Sequence, residues 1–423
     1  MLWPLFIRFH APPLALRNVM HSWRRSAVAI VGMGFAVVMV LLQLGFLQAV
    51  RVTAAVNYDQ LDFDVALVSP DFEQFYDPGM FPRDRLKQAE SVPGVRSARA
   101  LYARMNLWRC PPYPPDGPPE GPDSVPELNA LQRWWAGSER PRATQRRALL
   151  VLGADLDQHP FRDPIKRQID EAGSHLRMDG RLLMNAWSNP DFGWQLRDRV
   201  RHWELGDRKV EIVGPFTLRR SFGADAAVLL SDANFARSFH LPSPDRAVNF
   251  GLVTLEPSAG DPAAVAGRLN EVLPSDVQAM PRAELYRVEA DYWVNQTATG
   301  KIFTFGVVVT MVVAAVVVYQ VLSNDVRDHL PEYATLKAMG YTDSLLASVV
   351  LAQAALYAFA AFVPAVFVSY GLYRVTETLA NIPMELTPGN LALVLVLTLA
   401  TSLGSGVFTM RKVRTADPAD LFA

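Results

Sequence analysis

The sequence predicts an α-helical membrane protein with four transmembrane helices plus a large α+β extracytoplasmic domain between helices 1 and 2. Three observations predict it. Four long apolar runs carry no charge, basic residues gather at alternate ends of those runs, and short strand-like and helix-like patterns mix between the first run and the second.

The runs define the domain boundaries. Residues 27–50 (AVAIVGMGFAVVMVLLQLGFLQAV) are uncharged and long enough to cross about 30 Å of hydrocarbon at about 1.5 Å per residue. About 25 residues precede this core, which is longer than the ~7–15 residues of a signal peptide, so it is expected to be an uncleaved anchor. Residues 302–322 are valine-rich, and their unbroken length favours a membrane helix over a strand. Residues 344–373 contain Pro364, which membrane helices tolerate as a kink. Residues 391–410 contain SLGSGVF near their end, and its small side chains permit close helix packing.

Orientation follows from the basic residues. Arg8, Arg17, Arg24 and Arg25 precede the first run; Arg411, Lys412 and Arg414 follow the fourth; Arg327 and Lys337 lie between the second and third. Near the opposite ends stand mainly Arg51, Lys301 and Arg374. Both termini (1–26 and 411–423) and the loop 323–343 are therefore expected in the cytoplasm, with 51–301 and 374–390 outside. The segment Leu14 to Arg25 is basic and amphipathic and suits a helix lying along the cytoplasmic face.

Composition narrows the function. The 41 basic and 42 acidic residues nearly cancel, which gives no basis for bulk binding of nucleic acid. The single cysteine, Cys110, can form neither an intramolecular disulfide nor a multi-cysteine zinc site. No Asp, Glu, Lys, Arg or His lies within the four apolar cores, which counts against a proton- or sodium-coupled carrier. Gln43, Gln320 and Gln353 are the conspicuous polar residues there and are read as helix-to-helix hydrogen-bonding groups.

The outer stretch reads as α+β. Strands are expected at Phe63 to Pro70, Ala148 to Leu152, Val210 to Val213, Ala227 to Leu230 and Phe250 to Leu255. A helix, a PG turn and a return strand are expected within Phe81 to Val95. Further helices are expected from Asp261 (as N-cap, with Pro262 first) to Val272 and from Pro281 to Tyr292. The proline-rich segment of about 111–145 is expected to be an exposed insertion. His159, His175, His202 and His240 lack metal-ligand spacing, and the chain contains no P-loop, G-x-S-x-G or H-E-x-x-H motif. No catalytic, cofactor-binding or metal-binding residue is assigned.

The loop SNDVRDHLPEYATLKAMGYTDS is the most informative segment. Pro331 suits the first turn of a short helix, Glu332 and Lys337 complement its two ends, and Gly340 supplies the stop. Tyr333, Leu336 and Met339 are spaced to share roughly one face. Such a helix needs either a partner or the lipid surface, and spacing alone leaves both open.

At this point the residues resemble a known family. One helix, a large outer domain and three further helices look like the permease subunits of the MacB/FtsX class of ABC transporters (type VII). More narrowly, PLALRNVMHSWRRSAVAIVGMGFA, DFDVALVSP, RRSFGADAAVLLSDANF, VYQVLSNDVRDHLPEYATLKAMGY and RKVRTADPADLF resemble DevC-type permeases, known from the heterocyst glycolipid exporter. The resemblance implies a non-enzymatic homodimer in the bacterial inner membrane, served by a separate ATPase that holds the ATP and Mg. It also implies a periplasmic membrane-fusion adaptor, an outer-membrane export duct and a lipid, glycolipid or other hydrophobic cargo. It implies a coupling helix at Leu330, Pro331, Glu332, Tyr333, Leu336, Lys337, Met339 and Gly340, with Tyr333, Leu336 and Met339 filling a groove on the ATPase. Two alternatives within the class are a signalling protein acting on a cell-wall hydrolase and a lipoprotein-extraction permease.

Overall fold

The computed structural model describes residues 23–109, 146–189, 192–193, 202–219, 223–244, 246–328, 330–380 and 384–415. The N-terminal amphipathic segment lies almost wholly outside these residues, as do Cys110 and the proline-rich insertion.

In chain order the first elements are α1 (Trp23–Ala54), α2 (Val56–Asp59), β1 (Val65–Val68), β2 (Phe81–Pro82) and α3 (Asp84–Glu90). Next come β3 (Val95–Arg109), β4 (Arg146–Ala154), α4 (Ile165–Ala172), β5 (Arg181–Asn185), β6 (Trp203–Leu205), β7 (Arg208–Phe216) and β8 (Ala227–Ser231). They are followed by α5 (Asp232–Ser238), β9 (Ala247–Val248), β10 (Phe250–Leu255), α6 (Pro262–Val272), β11 (Gln278–Pro281) and α7 (Arg282–Asp291). A π-helical turn, Tyr292–Gln296, leads into α8 (Ala298–Asp328), α9 (Leu330–Ala338), α10 (Asp343–Ala380) and α11 (Pro388–Thr415). Two units result: Val50–Thr297 is α+β, and the described residues of the other are helical.

Among the described residues of the α+β unit, nine strands form one mixed sheet in the order β11-β1-β10-β3-β4-β8-β5-β7-β6. The far end of β3 also pairs with β6, Trp108 opposite Leu205 and Arg109 opposite Glu204, so six of the strands close into a ring. The pairs β4–β8 and β5–β7 are parallel. Period-2 alternation sends successive side chains to opposite faces, which accounts for two separate cores. Val228 and Leu230 of β8 join Val65, Leu67, Leu149 and Val151 on one face, beneath Leu86 of α3 and Leu269 of α6. Ala227 and Leu229 join Ala66, Leu150 and Leu152 on the other, against Tyr58 of α2, Ile169 of α4 and Leu285 of α7. The β11 edge is occupied: the Asn270 side chain donates to Ala279 O at 2.9 Å and accepts from Ala279 N at 2.7 Å, which limits its use for strand addition.

Local signals fall where sequence placed them. Asp261 caps α6 by accepting from the Ala263 amide, with Pro262 first in the helix. Gly94 turns the chain from α3 into β3 at φ +95°.

Among the described residues of the helical unit, four helices are long and apolar enough to cross a membrane. The valine-rich run is helix α8, and Pro364 is accommodated within α10. All four helices run past the expected spans, α8 and α10 most at their C-terminal ends. α8 continues to Asp328, into residues expected as loop, because Val326 is buried with Leu346 and Val350 of α10. α10 continues to Ala380 with an Arg374–Glu377 pair on its surface at 2.9 Å.

Along α1, Met33, Val37, Leu41 and Leu44 form a buried stripe against α8 and α10. The glutamines differ in setting. Gln353 is buried and donates to Tyr357 Oη at 3.5 Å on its own helix, while Tyr357 in turn hydrogen-bonds Ser26 of α1 at 3.2 Å. Gln43 lies over Gly306 of α8, and Gln320 is exposed.

Gly45 lies under Tyr373, whose hydroxyl donates to Leu41 O. A Cβ at position 45 would collide with Tyr373 Oη and stand 2.6 Å from Met384 Cε. Gly45→Ala is therefore expected to cost about 1–3 kcal/mol, the usual range for overpacking. Thermal unfolding of the purified chain in detergent measures it, and an unchanged midpoint would refute this packing.

Candidate functional site: the short helix between α8 and α10

α9 is nine residues long and is built from its caps inward. Pro331 sits in the first turn, where its missing N–H forfeits no helical hydrogen bond, and Glu332 and Lys337 occupy the first and last turns. The Thr335 hydroxyl donates to Pro331 O at 2.9 Å.

The helix ends in a Schellman arrangement. Gly340 at φ +91° sends its N–H to Lys337 O at 3.0 Å, and the Tyr341 N–H reaches Leu336 O at 3.1 Å. Thr342 O then accepts from Leu345 N and Leu346 N, opening α10. The short link that results fixes α9 between two membrane-length helices. Gly340→Ala places a Cβ in a left-handed conformation and is expected to destabilise this stop by about 1 kcal/mol. Faster amide exchange at Tyr341, whose N–H depends on that geometry, would report it; unchanged exchange would contradict the role given to Gly340.

The expected site residues fall into distinct settings. Leu330 and Tyr333 are helical, and their side chains lie outside the described set. Leu336 turns inward and packs, half-buried, against the cluster of Val326, Leu346 and Val350. It anchors α9 to its own chain. Met339 is 63% exposed, and Pro331, Glu332 and Gly340 are exposed beside it, with Lys337 half-buried. Tyr341, which helical spacing missed because it follows the glycine stop, is 47% exposed. Among the described side chains here, the large apolar groups offered to the exterior are thus Met339 and Tyr341.

The α+β unit offers no comparable chemistry. Among the described residues no group of three His, Cys, Asp or Glu converges as a metal site requires. His159 is buried with Asp170 at 3.9 Å, and burial holds its pKa below the ordinary value. His175 meets Arg181, and His240 meets Asp207 at 3.1 Å. A cleft of about 390 Å³ has Arg83, Lys87, Glu90, Arg99 and Asp155 among its lining residues. Its two arginines are engaged, Arg99 with Asp62 at 2.9 Å and Arg83 with Asp232 at 3.7 Å.

Comparison with known proteins bears on the helical unit. No curated protein matches the chain. Among solved structures, the extracellular domain of the noncanonical ABC-type transporter YknZ from Gram-positive bacteria is similar at 13% identity. That alignment covers 52% of this chain and 98% of that one, with a TM-score of 0.29. Residues 304–418, which hold most of α8 and all of α9, α10 and α11, match the family model described as FtsX-like permease C-terminal. Over residues 304–418 the chain is therefore similar to the C-terminal part of FtsX-like permeases.

Proposed function

We propose that the chain is the permease subunit of an ATP-driven ABC export complex of the MacB/DevC type in the bacterial inner membrane. The observation that carries this reading is α9: a capped helix exposing Met339 and Tyr341, set inside the FtsX-like segment. A cytoplasmic ABC ATPase docks there and supplies ATP hydrolysis with its own Mg, so this chain binds no cofactor. Two copies of the chain work together. Each stroke of the ATPase pair passes through α9 to α8 and α10, and from there to the α+β unit outside the membrane. That unit acts with a periplasmic adaptor and an export duct on a lipid, glycolipid or other hydrophobic cargo. The absence of charged residues from the apolar cores supports a stroke delivered through the helices over an ion-coupled path across them.

Affinity purification of the intact chain from detergent-solubilised native membranes tests the reading. Recovery of a P-loop ATPase together with an adaptor is the expected result. An ATPase recovered with a cell-wall hydrolase would replace export with signalling, and an ATPase recovered with a lipoprotein carrier would replace it with lipoprotein extraction. No ATPase under conditions that preserve such complexes would refute the docking role of α9.

A further inference from the structure

The first and last segments of the α+β unit meet at one buried carboxyl group. Glu289 of α7 is 0% exposed. Its Oε2 accepts from Tyr58 Oη at 2.9 Å and from Phe75 N at 2.9 Å; its Oε1 accepts from Phe75 N at 3.2 Å and from Trp293 Nε1 at 2.9 Å. These donors come from three segments. Tyr58 belongs to α2, directly after α1; Phe75 lies in the loop between β1 and β2; Trp293 lies in the π-helical turn directly before α8. Aromatic edges close the site, with Tyr58 against Phe75 at 5.1 Å and Tyr76 against Trp293 at 5.9 Å.

Among the described residues, the surrounding charged and titratable groups leave Glu289 without a cation. Arg282 donates to Tyr58 O at 3.1 Å and to Tyr286 Oη at 2.9 Å, and pairs with Asp59 at 3.8 Å. Tyr286 donates to Asp59 Oδ1 at 2.6 Å. On the loop side stand Tyr76, which accepts from Asn57 at 3.0 Å, and Glu73 and Asp77, whose charges act with Glu289 on Tyr292. All three of Glu289's direct donors are neutral. A buried carboxylate held only by neutral donors is costly, whereas the protonated acid fits the same geometry. With the proton on Oε2, the Tyr58 hydroxyl turns to accept, and the Phe75 and Trp293 N–H groups remain on Oε1.

We propose that Glu289 is a proton-operated latch at the root of the α+β unit. Protonated, it joins the segment after α1, the loop around Phe75 and the turn before α8; on releasing its proton to water it loosens that joint. A π-helical turn at one of the three segments suits a joint that must yield, since such turns mark functional positions in helices. Burial pushes the Glu289 carboxyl up from its ordinary 4.5 to about 7, against the opposing effect of its three donors. For a carboxyl raised in this way, the closed joint is favoured fully below its ordinary value and that stability is lost as pH rises through about 7. Between pH 6 and pH 8 linkage makes opening about tenfold more favourable.

Hydrogen–deuterium exchange on the full chain in detergent, corrected for intrinsic exchange rates, tests the latch. Protection around Phe75 and across 289–293 should fall about tenfold from pH 6 to pH 8, while β4 and β8 hold constant. Glu289→Gln should abolish the pH dependence. Tyr58→Phe, which removes one donor to the carboxylate, should move the midpoint to higher pH. The wild-type profile decides the matter even if a variant fails to fold. A flat wild-type profile, a fall shared by β4 and β8, pH dependence retained in Glu289→Gln, or an unmoved midpoint in Tyr58→Phe would each overturn the proposal.

Discussion

Replacing Trp108 by alanine is expected to destabilise the α+β unit by about 3–5 kcal/mol, the range for deleting a large buried aromatic side chain. Trp108 stands at the end of β3, where that strand reaches β6 and closes the ring. It is 1% exposed, stacks on Trp203 with centroids 5.5 Å apart, and donates from Nε1 to Phe192 O at 3.1 Å. Alanine removes the stack, leaves a cavity and strands a carbonyl at the one place where the ring is joined. For a unit of this size the unfolding midpoint should drop by about 6–20 °C. Trp108→Phe keeps a ring against Trp203 and loses the donor, so its cost should be nearer about 1–3 kcal/mol. Thermal unfolding of the two variants separates these contributions. Equal, small losses would mean that ring closure contributes little to the stability of the unit.

The second large effect concerns α9. Met339→Asp combined with Tyr341→Asp is expected to remove ATPase association without unfolding the helical unit. Both side chains are exposed, so the folded chain loses little by their change. An interface centred on them would lose two apolar anchors and gain two charges to bury. At about 2 kcal/mol for each anchor, affinity should fall on the order of 10³-fold. Leu336→Asp is a poor substitute for this test. Leu336 packs on Val326, Leu346 and Val350, so a charge there would loosen α9 from α8 and α10 before any partner was met. Microscale binding of purified ATPase to the double variant, with thermal unfolding as the control for folding, measures the effect. Wild-type affinity in a folded double variant would remove Met339 and Tyr341 from the interface.

Features governed by neighbours in sequence were legible; features governed by distant pairing were not. The Asp261 cap and the glycine conformations at Gly94 and Gly340 follow from local backbone chemistry. The strands at β1, β4, β7, β8 and β10 announced themselves as apolar or alternating runs. β5 and β6 did not, because RLLMN does not alternate and WEL is only three residues long, and ring closure depends on Trp108 meeting Trp203 from nearly a hundred residues away.

The candidate helix was readable down to its stop, whereas the fate of each side chain was not. Residues 336 and 339 are one helical turn apart, yet tertiary contact turns Leu336 inward while Met339 lies at the helix end facing out. Glu289 was hidden for a similar reason. In the stretch YRVEADYW it reads as one charge among others on an amphipathic helix, and its donors include Phe75 and Tyr58, 214 and 231 residues away.

In the proposed function α9 is the docking point of an ATPase. Site-specific cross-linking tests it most directly: in a Cys110→Ser background, cysteine is placed at 339 or 341, or at the exposed apolar position 367 of α10 as a control, and cross-linked in native membranes. A P-loop ATPase is expected to attach at 339 and 341 and not at 367. An intact complex in which the ATPase cross-links at neither 339 nor 341 would contradict it.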